Sequence, residues 1–392
     1  MDLEKARRLA DDLFGEAGNP KEGDPPSDVV WIGRREGQDQ GFVEQLGAMT
    51  PDGFPIAELL LFGLVEFLGL RRYGPEEKMR WGVAFRFRGA FFAYEYTKFG
   101  LRLLCEQSNL DSPLVKEVLG RCRGLTDIVE AYLTDELVEK QMADGNITVE
   151  NLYERLDFRY RFLREKAEAY YATPPPPPET GQSDSGGTWT RYDPGKPQRE
   201  GGALATAAVD AFFSRSEHLF LLAYGLLGGG RRAVSVLDFL SSNWPAKARV
   251  ILDLSDPKAK NLYDALLGIR ERWRNPLAHG GFLSGGGSFY FHVPGVGALP
   301  AQLRRTPSGV KFGFRLTEKS FAEIARLFDE FDSYLAAGPL RHAVKWAAAG
   351  LDVAFDGESR STYLKAMQSD EAFDDFLQWS SMDADRHDNM DY

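Results

Sequence analysis

Three side chains near the middle of the second half of the chain, Arg274, Asn275 and His279, have types that could act together on an anion. Histidine titrates near neutral pH and can take and return a proton. Arginine stays charged and offers an oxyanion a planar fork of donors. Asn275 could hydrogen-bond the same anion or orient the histidine. The plainer alternative is that Arg274 caps a helix C-terminus and His279 is an ordinary turn histidine.

The elements that must position these groups are helical. A helix is expected from about Lys258, with Leu262, Leu266, Ile269 and Trp273 on one apolar stripe. In a straight helix five residues turn the chain 500°, which leaves Arg274 and His279 about 140° apart. Asn275 followed by Pro276 suits an N-cap and first-turn pair, so the helix is expected to kink or restart there and bring the two side chains toward one cleft. A strong helix, Ala203 to Leu227, precedes it and ends at Gly228, Gly229 and Gly230. It carries a polar stripe of Asp210, Ser214, Glu217 and His218, read as a solvated face, with a place facing the cleft as the alternative.

In these residues the chain resembles the HEPN superfamily: helical-bundle domains with an arginine, a polar residue, and a histidine four to six positions after the arginine. The stretch IRERWRNPLAHGGF, Ile269 to Phe282, is similar to that motif, and the resemblance covers about Ala203 to Ala336. It implies a metal-independent endoribonuclease with no cofactor, a regulated effector of a prokaryotic defence or toxin-type system. Arg274, Asn275 and His279 would be catalytic, and Arg270 and Arg272 would bind RNA. It implies a homodimer with two motifs lining one interface, and a regulatory protein or antitoxin as a further partner. Other members are inactive, so a non-catalytic HEPN-like module binding RNA or a partner protein is the alternative. A purely structural helical protein with an accidental motif is the third reading.

Charge distribution is compatible with an RNA partner although the net charge is −11. Arg231 to Lys311 holds 12 basic and 5 acidic side chains, whereas Asp352 to Tyr392 holds 11 acidic and 3 basic ones. The acidic tail is expected either to be solvated or to dock on the basic segment, with Phe373, Phe376, Leu377 and Trp379 as anchors. Its MDADRHDNMDY end has metal-capable side chains but not the glycine and distal glutamate of a calcium loop. Zinc spacing, Gly-x-Ser-x-Gly and a dinucleotide fingerprint are absent from the sequence, and no metal site is expected. The longest apolar run, Ile56 to Leu70, contains Glu58 and Glu66 and falls short of the ~20 residues of a membrane span. The N-terminus reads as an amphipathic helix and not a signal peptide. Cys105 and Cys122 read as buried thiols. The expectation is a soluble cytoplasmic protein.

The fold class expected is mostly α, with a C-terminal HEPN-like bundle, an inserted β-ribbon, and a mainly helical N-terminal domain. Residues 1–172 form the first domain and 173–202 a linker with five consecutive prolines; 203–351 are the HEPN-like domain and 352–392 the acidic tail. The ribbon is expected from Ser288 to Val293 and Val310 to Leu316. Val83, Phe85 and Phe87 alternate as in a strand, and Phe91, Tyr94, Phe99 and Leu103 then read as helical. Two segments of the first domain echo the second. AFFAYEYTKFGLRL from Ala90 matches AFFSRSEHLFLLAY from Ala211, and NLYERLDFRYRFLREKAEA from Asn151 aligns with NLYDALLGIRERWRNPLAH from Asn261. In that register Arg164 lies opposite Arg274 and Ala169 opposite His279, which raises the reading of a degenerate copy.

Overall fold

A computed structural model of the protein describes residues 1–21, 24–25, 29–31, 56–98, 100–110, 112–228, 235–274, 288–303, 310–312 and 316–389. The chain is mostly helical, with small antiparallel sheets. It divides into two compact units, Met1–Asp144 with Gln378–Tyr392, and Gly145–Leu377.

The first unit is built on a six-stranded antiparallel sheet. Its path is β1 (Ala17–Gly18), β4 (Met79–Phe87), β5 (Ala90–Thr97), β6 (Gly100–Glu106) and β2 (Val29–Trp31), with β3 (Arg72–Tyr73) also on β4. Arg88 and Gly89, with φ of 50° and 85°, make the two-residue turn between β4 and β5. Positive φ at both positions matches the twist of the flanking strands. Trp81, Val83, Phe85 and Phe87 enter a core shared with helices α1 (Leu3–Phe14), α2 (Ile56–Phe62) and α3 (Pro113–Tyr132), and α4 (Val138–Asp144) ends the first portion of the unit. Cys105 and Cys122 are buried free thiols. The Cys122 thiol, pushed up to about 12 by burial, lies 2.9 Å from the Tyr94 hydroxyl.

The helix read through Phe91, Tyr94 and Leu103 is corrected here, while Phe99 lies outside the described residues. Phe91, Tyr94 and Leu103 are strand residues, with Phe92 opposite Cys105 and Tyr94 opposite Leu103. Residues 90–94 are buried on both faces, so the two-residue alternation disappears and chance helical spacing remains. Of the two matched pairs behind the duplication reading, the Asn151 and Asn261 segments are both helical, but the other pair differs in structure. AFFAYEYT is a strand, while the matching residues from Ala211 lie in a long helix.

In the second unit, α5 (Tyr153–Ala172) and α6 (Lys196–Leu226) run antiparallel. The Leu152 N–H donates to His218, Arg215 pairs with Asp157, Tyr160 packs on Phe212, and Tyr171 closes on Gly201. The domain break therefore lies at Asp144 and not in the proline run, because α5 packs along α6. The expected linker holds a hairpin, β8 (Glu179–Gln182) with β9 (Thr188–Arg191), and the first turns of α6. Around α6 stand α7 (Val236–Ser241), α8 (Trp244–Ile251), α9 (Pro257–Ile269), α10 (Glu318–Ala337) and α11 (Arg341–Ala348). The Phe212 ring of α6 stacks on Phe328 of α10 at 3.6 Å, with Phe331 and Phe213 edge-on. Trp244 of α8 meets Phe213 edge-on and donates its indole N–H to the buried Ser216 hydroxyl at 2.8 Å.

The ribbon has three strands, β10 (Ser288–Val293), β11 (Gly297–Leu303) and β12 (Val310–Phe312). Gly297 and Pro300 hide β11 in the sequence, since proline donates nothing to a ladder. Residues 313–315 of the expected second strand lie outside the described residues. The acidic tail is also structured. Val353 and Ala354 pair with Val149 and Thr148 of β7 (Thr148–Val149), and helices α12 (Gly357–Ala366) and α13 (Asp370–Asn389) follow. A side chain at Gly225 would meet Val353 at 2.5 Å, so only glycine lets this strand close on α6. Asp370 and Asp374 pair with Arg341, His342 and Lys345, and Phe373 and Phe376 cover Trp346. The tail thus docks on α11, not on the 231–311 segment, as far as the described residues go. Gln378–Tyr392 belong to the first unit, where the Lys98 ammonium donates to Asn389 at 2.7 Å.

Among the described residues no helix is long and apolar enough to cross a membrane. Phe212 is fully buried between two helices. Phe212→Ala is expected to destabilise the second unit by about 3–5 kcal/mol, read as a lowered urea midpoint of its unfolding transition.

Candidate functional site

Helix α9 starts at an Asp256 cap that accepts the Lys258 N–H, with Pro257 at its first position. It presents Leu262, Tyr263 and Leu266 to the core and passes into one π-helical turn, Arg270–Arg274. Wide turns of this kind arise where an extra residue is accommodated, and they recur at functional sites. Trp273 is buried and anchors the turn, so the three arginines beside it are carried on a fixed element.

Arg274 donates from Nε to the Asp210 carboxylate of α6 at 3.0 Å, with both side chains partly exposed. Its Nη donors have no partner among the described residues. Arg270 is half-buried, and its Nε has no hydrogen-bond partner among the described residues. Burial and then the like charge of Arg274 push its guanidinium below the ordinary arginine value, with Glu217 opposing. The guanidinium of Arg272 lies 4.8 Å over the ring of Trp273. The structure therefore brings Arg270 and Arg274 together against one side of α6. Asn275 and His279 lie outside the described residues, as does the expected kink at Asn275.

The stripe on α6 is partnered rather than simply solvated. Asp210 holds Arg274, and Glu217 holds Lys247 of α8 at 2.7 Å. The Lys247 side chain is 9% exposed, a desolvated cation that needs that carboxylate. Ser214 donates to the Asp210 carbonyl, and His218 accepts the Leu152 N–H at 2.9 Å. Sequence reasoning missed Lys247, whose signal is a lone charged side chain between Trp244 and Ala248.

A second charged cluster sits on another side of α6. The Arg215 guanidinium, 3% exposed, pairs with Asp157 at 2.5 Å and Asp332 at 2.6 Å and lies 4.6 Å from the Tyr160 ring. Burial opposes its charge, but the Asp332 carboxylate overrides this and holds it above the ordinary value. Arg164 forks onto Asp329 and also holds Glu168, at the edge of a polar cavity of about 330 Å³. Sequence reasoning missed this network; a lone arginine between Phe213 and Leu219 was its only signal. Among the described residues no three His, Cys, Asp or Glu side chains form a metal-holding group. No protein-family model matches the chain, and no curated protein or solved structure is detectably similar to it.

The His218 contact has a pH signature. Its ring accepts a hydrogen bond at Nε2, and burial lowers its pKa below 6.5, so the folded state favours the neutral form. The unfolded chain then binds more protons as pH falls past 6.5. This contribution to stability is complete above 6.5 and is lost as pH drops toward the lower folded-state value. Melting curves from pH 7.5 to 5 are expected to show a steeper loss for the wild type than for His218→Gln. Parallel losses would remove the assignment.

Proposed function

We propose that the second unit is a HEPN-like, metal-independent endoribonuclease in which Arg274 and His279 carry the reaction. The observation that supports it is the placement of Arg274 and Arg270 on one turn. The two cations lie close enough to repel, the Arg274 Nη donors have no partner among the described residues, and the nearby carboxylates hold the pair only in part. A phosphodiester suits that arrangement, because each guanidinium can donate a fork to its oxygens.

In the reaction His279 takes the proton from a ribose 2′-hydroxyl, and the 2′-oxygen attacks the adjacent phosphorus. Arg274 meets the negative charge that grows on the phosphoryl oxygens. The bond to the 5′-oxygen breaks, and that oxygen leaves with a proton returned by the imidazole. The products are a 2′,3′-cyclic phosphate and a 5′-hydroxyl end. Asp210 positions Arg274, Arg270 and Arg272 bind the RNA backbone, and Asn275 contacts the phosphate or the histidine. The resemblance adds a homodimer, a regulatory protein or antitoxin as partner, and a role in prokaryotic defence. The second reading, a non-catalytic module for RNA or a partner protein, is favoured by one observation: Asp210 already occupies part of Arg274.

The test uses the purified full chain on a mixed RNA pool with EDTA present. Wild type is expected to cleave and leave cyclic phosphate ends. His279→Ala and Arg274→Ala are expected to lose at least ~10²-fold in rate with unchanged circular dichroism. Arg274→Lys fails as well, since a point charge does not replace the fork. Equal cleavage by wild type and His279→Ala refutes the assignment, and silence from both moves the weight to the binding module.

A further inference from the structure

The outward face of α5 carries a row of side chains that the packing of the second unit does not explain. Tyr160, Ala167 and Tyr171 take the buried face of this helix. On the other side Arg155, Phe158, Arg159, Phe162, Lys166 and Tyr170 recur at three- and four-residue steps, which places them along one stripe. Phe158 is 70% exposed and Phe162 47%, and their rings lie 6.2 Å apart at 21°. The Lys166 ammonium sits 5.5 Å from the Phe162 ring. Arg155 and Arg159 are exposed and have no carboxylate partner among the described residues. Asp157 and Glu168 are occupied by Arg161, Arg215 and Arg164, while Glu154 and Glu165, at four- and three-residue steps from Phe158 and Phe162, border the aromatic edge of the stripe.

Stacked, solvent-facing phenylalanines beside cations that pair with no carboxylate among the described residues match a flexible polyanion with flat apolar units. A lipid surface needs a broader apolar face than two rings flanked by Glu154 and Glu165. A second copy of the chain would bury a ridge of two rings, far below the ~800 Å² per partner of a stable interface. A single-stranded nucleic acid uses every part of the stripe, with bases on the aromatic rings and phosphates on Arg155, Arg159 and Lys166. We propose that this face of α5 binds single-stranded RNA. The choice of RNA over DNA rests on the ribonuclease reading, whereas the binding chemistry does not.

The experiment is fluorescence anisotropy of a short, labelled 2′-O-methyl oligoribonucleotide titrated with the full chain. The blocked 2′-oxygen cannot take part in cleavage, so binding is read whether or not the ribonuclease assignment holds. Wild type is expected to bind at low salt and weaken as salt rises. Phe158→Ala with Phe162→Ala is expected to weaken binding about 10-fold or more. Phe158→Leu with Phe162→Leu is expected to weaken it similarly, because leucine keeps the apolar area and loses the ring face. Replacing Arg155, Arg159 and Lys166 by glutamine is expected to reduce the slope of log affinity against log salt by about 2. All these side chains are exposed, and circular dichroism is expected to stay unchanged. No binding by the wild type at low salt, or equal binding by the alanine pair, overturns the proposal. A loss of self-association on sedimentation with no change in RNA binding also overturns it and assigns the face to a second copy.

Discussion

Arg215 enters the second unit from α6 with 3% of its side chain exposed, and three helices are organised around its charge. Asp157 reaches it from α5 and Asp332 from α10, and the rings of Tyr160 and Phe212 cover its faces. Removing a guanidinium from water costs several kcal/mol, and only a full set of partners offsets that. The same set fixes how α5 and α10 are rotated on α6. That rotation seats Phe212 flat on Phe328 and turns Phe158 and Phe162 outward. It also leaves the opposite side of α6, with Asp210 and Glu217, to face the arginine turn.

Much of the helical framework was legible because its apolar residues repeat at the helical period. The helix expected from Ala203 extends from Lys196 to Leu226, and the one expected from Glu318 to Ala336 matches Glu318–Ala337 within a residue. The strands of the first unit were obscured where burial is two-sided. From Ala90 to Tyr94 every residue is buried, so polarity carries no period. The tail was misjudged for a different reason. Its acidic count suggested a solvated segment, yet Asp370 and Asp374 meet cations of α11 and Phe373 is fully buried.

The candidate site was legible in part. Arg274 stood out by its spacing to His279, and it lies in the turn that follows the apolar stripe of α9. Its partner Asp210 was visible only as one member of a polar stripe, because pairing across 64 residues leaves no local pattern. The π turn at Arg270–Arg274 has no sequence mark apart from the proline that follows. His279 remains a sequence assignment, outside the described residues.

The second unit occupies a continuous stretch, Gly145–Leu377, between the two sequence portions of the first. During synthesis the strands and helices up to Asp144 leave the ribosome before the second unit, but the segment from Gln378 onward emerges only after it. At ~5–20 residues per second the 233 residues of Gly145–Leu377 take about 10–50 s to be made. Over that interval the Lys98 ammonium lacks its contact with Asn389. The second unit can therefore complete its own core before the first receives its final piece, and a chain cut short after Leu377 contains one whole unit and one unfinished one.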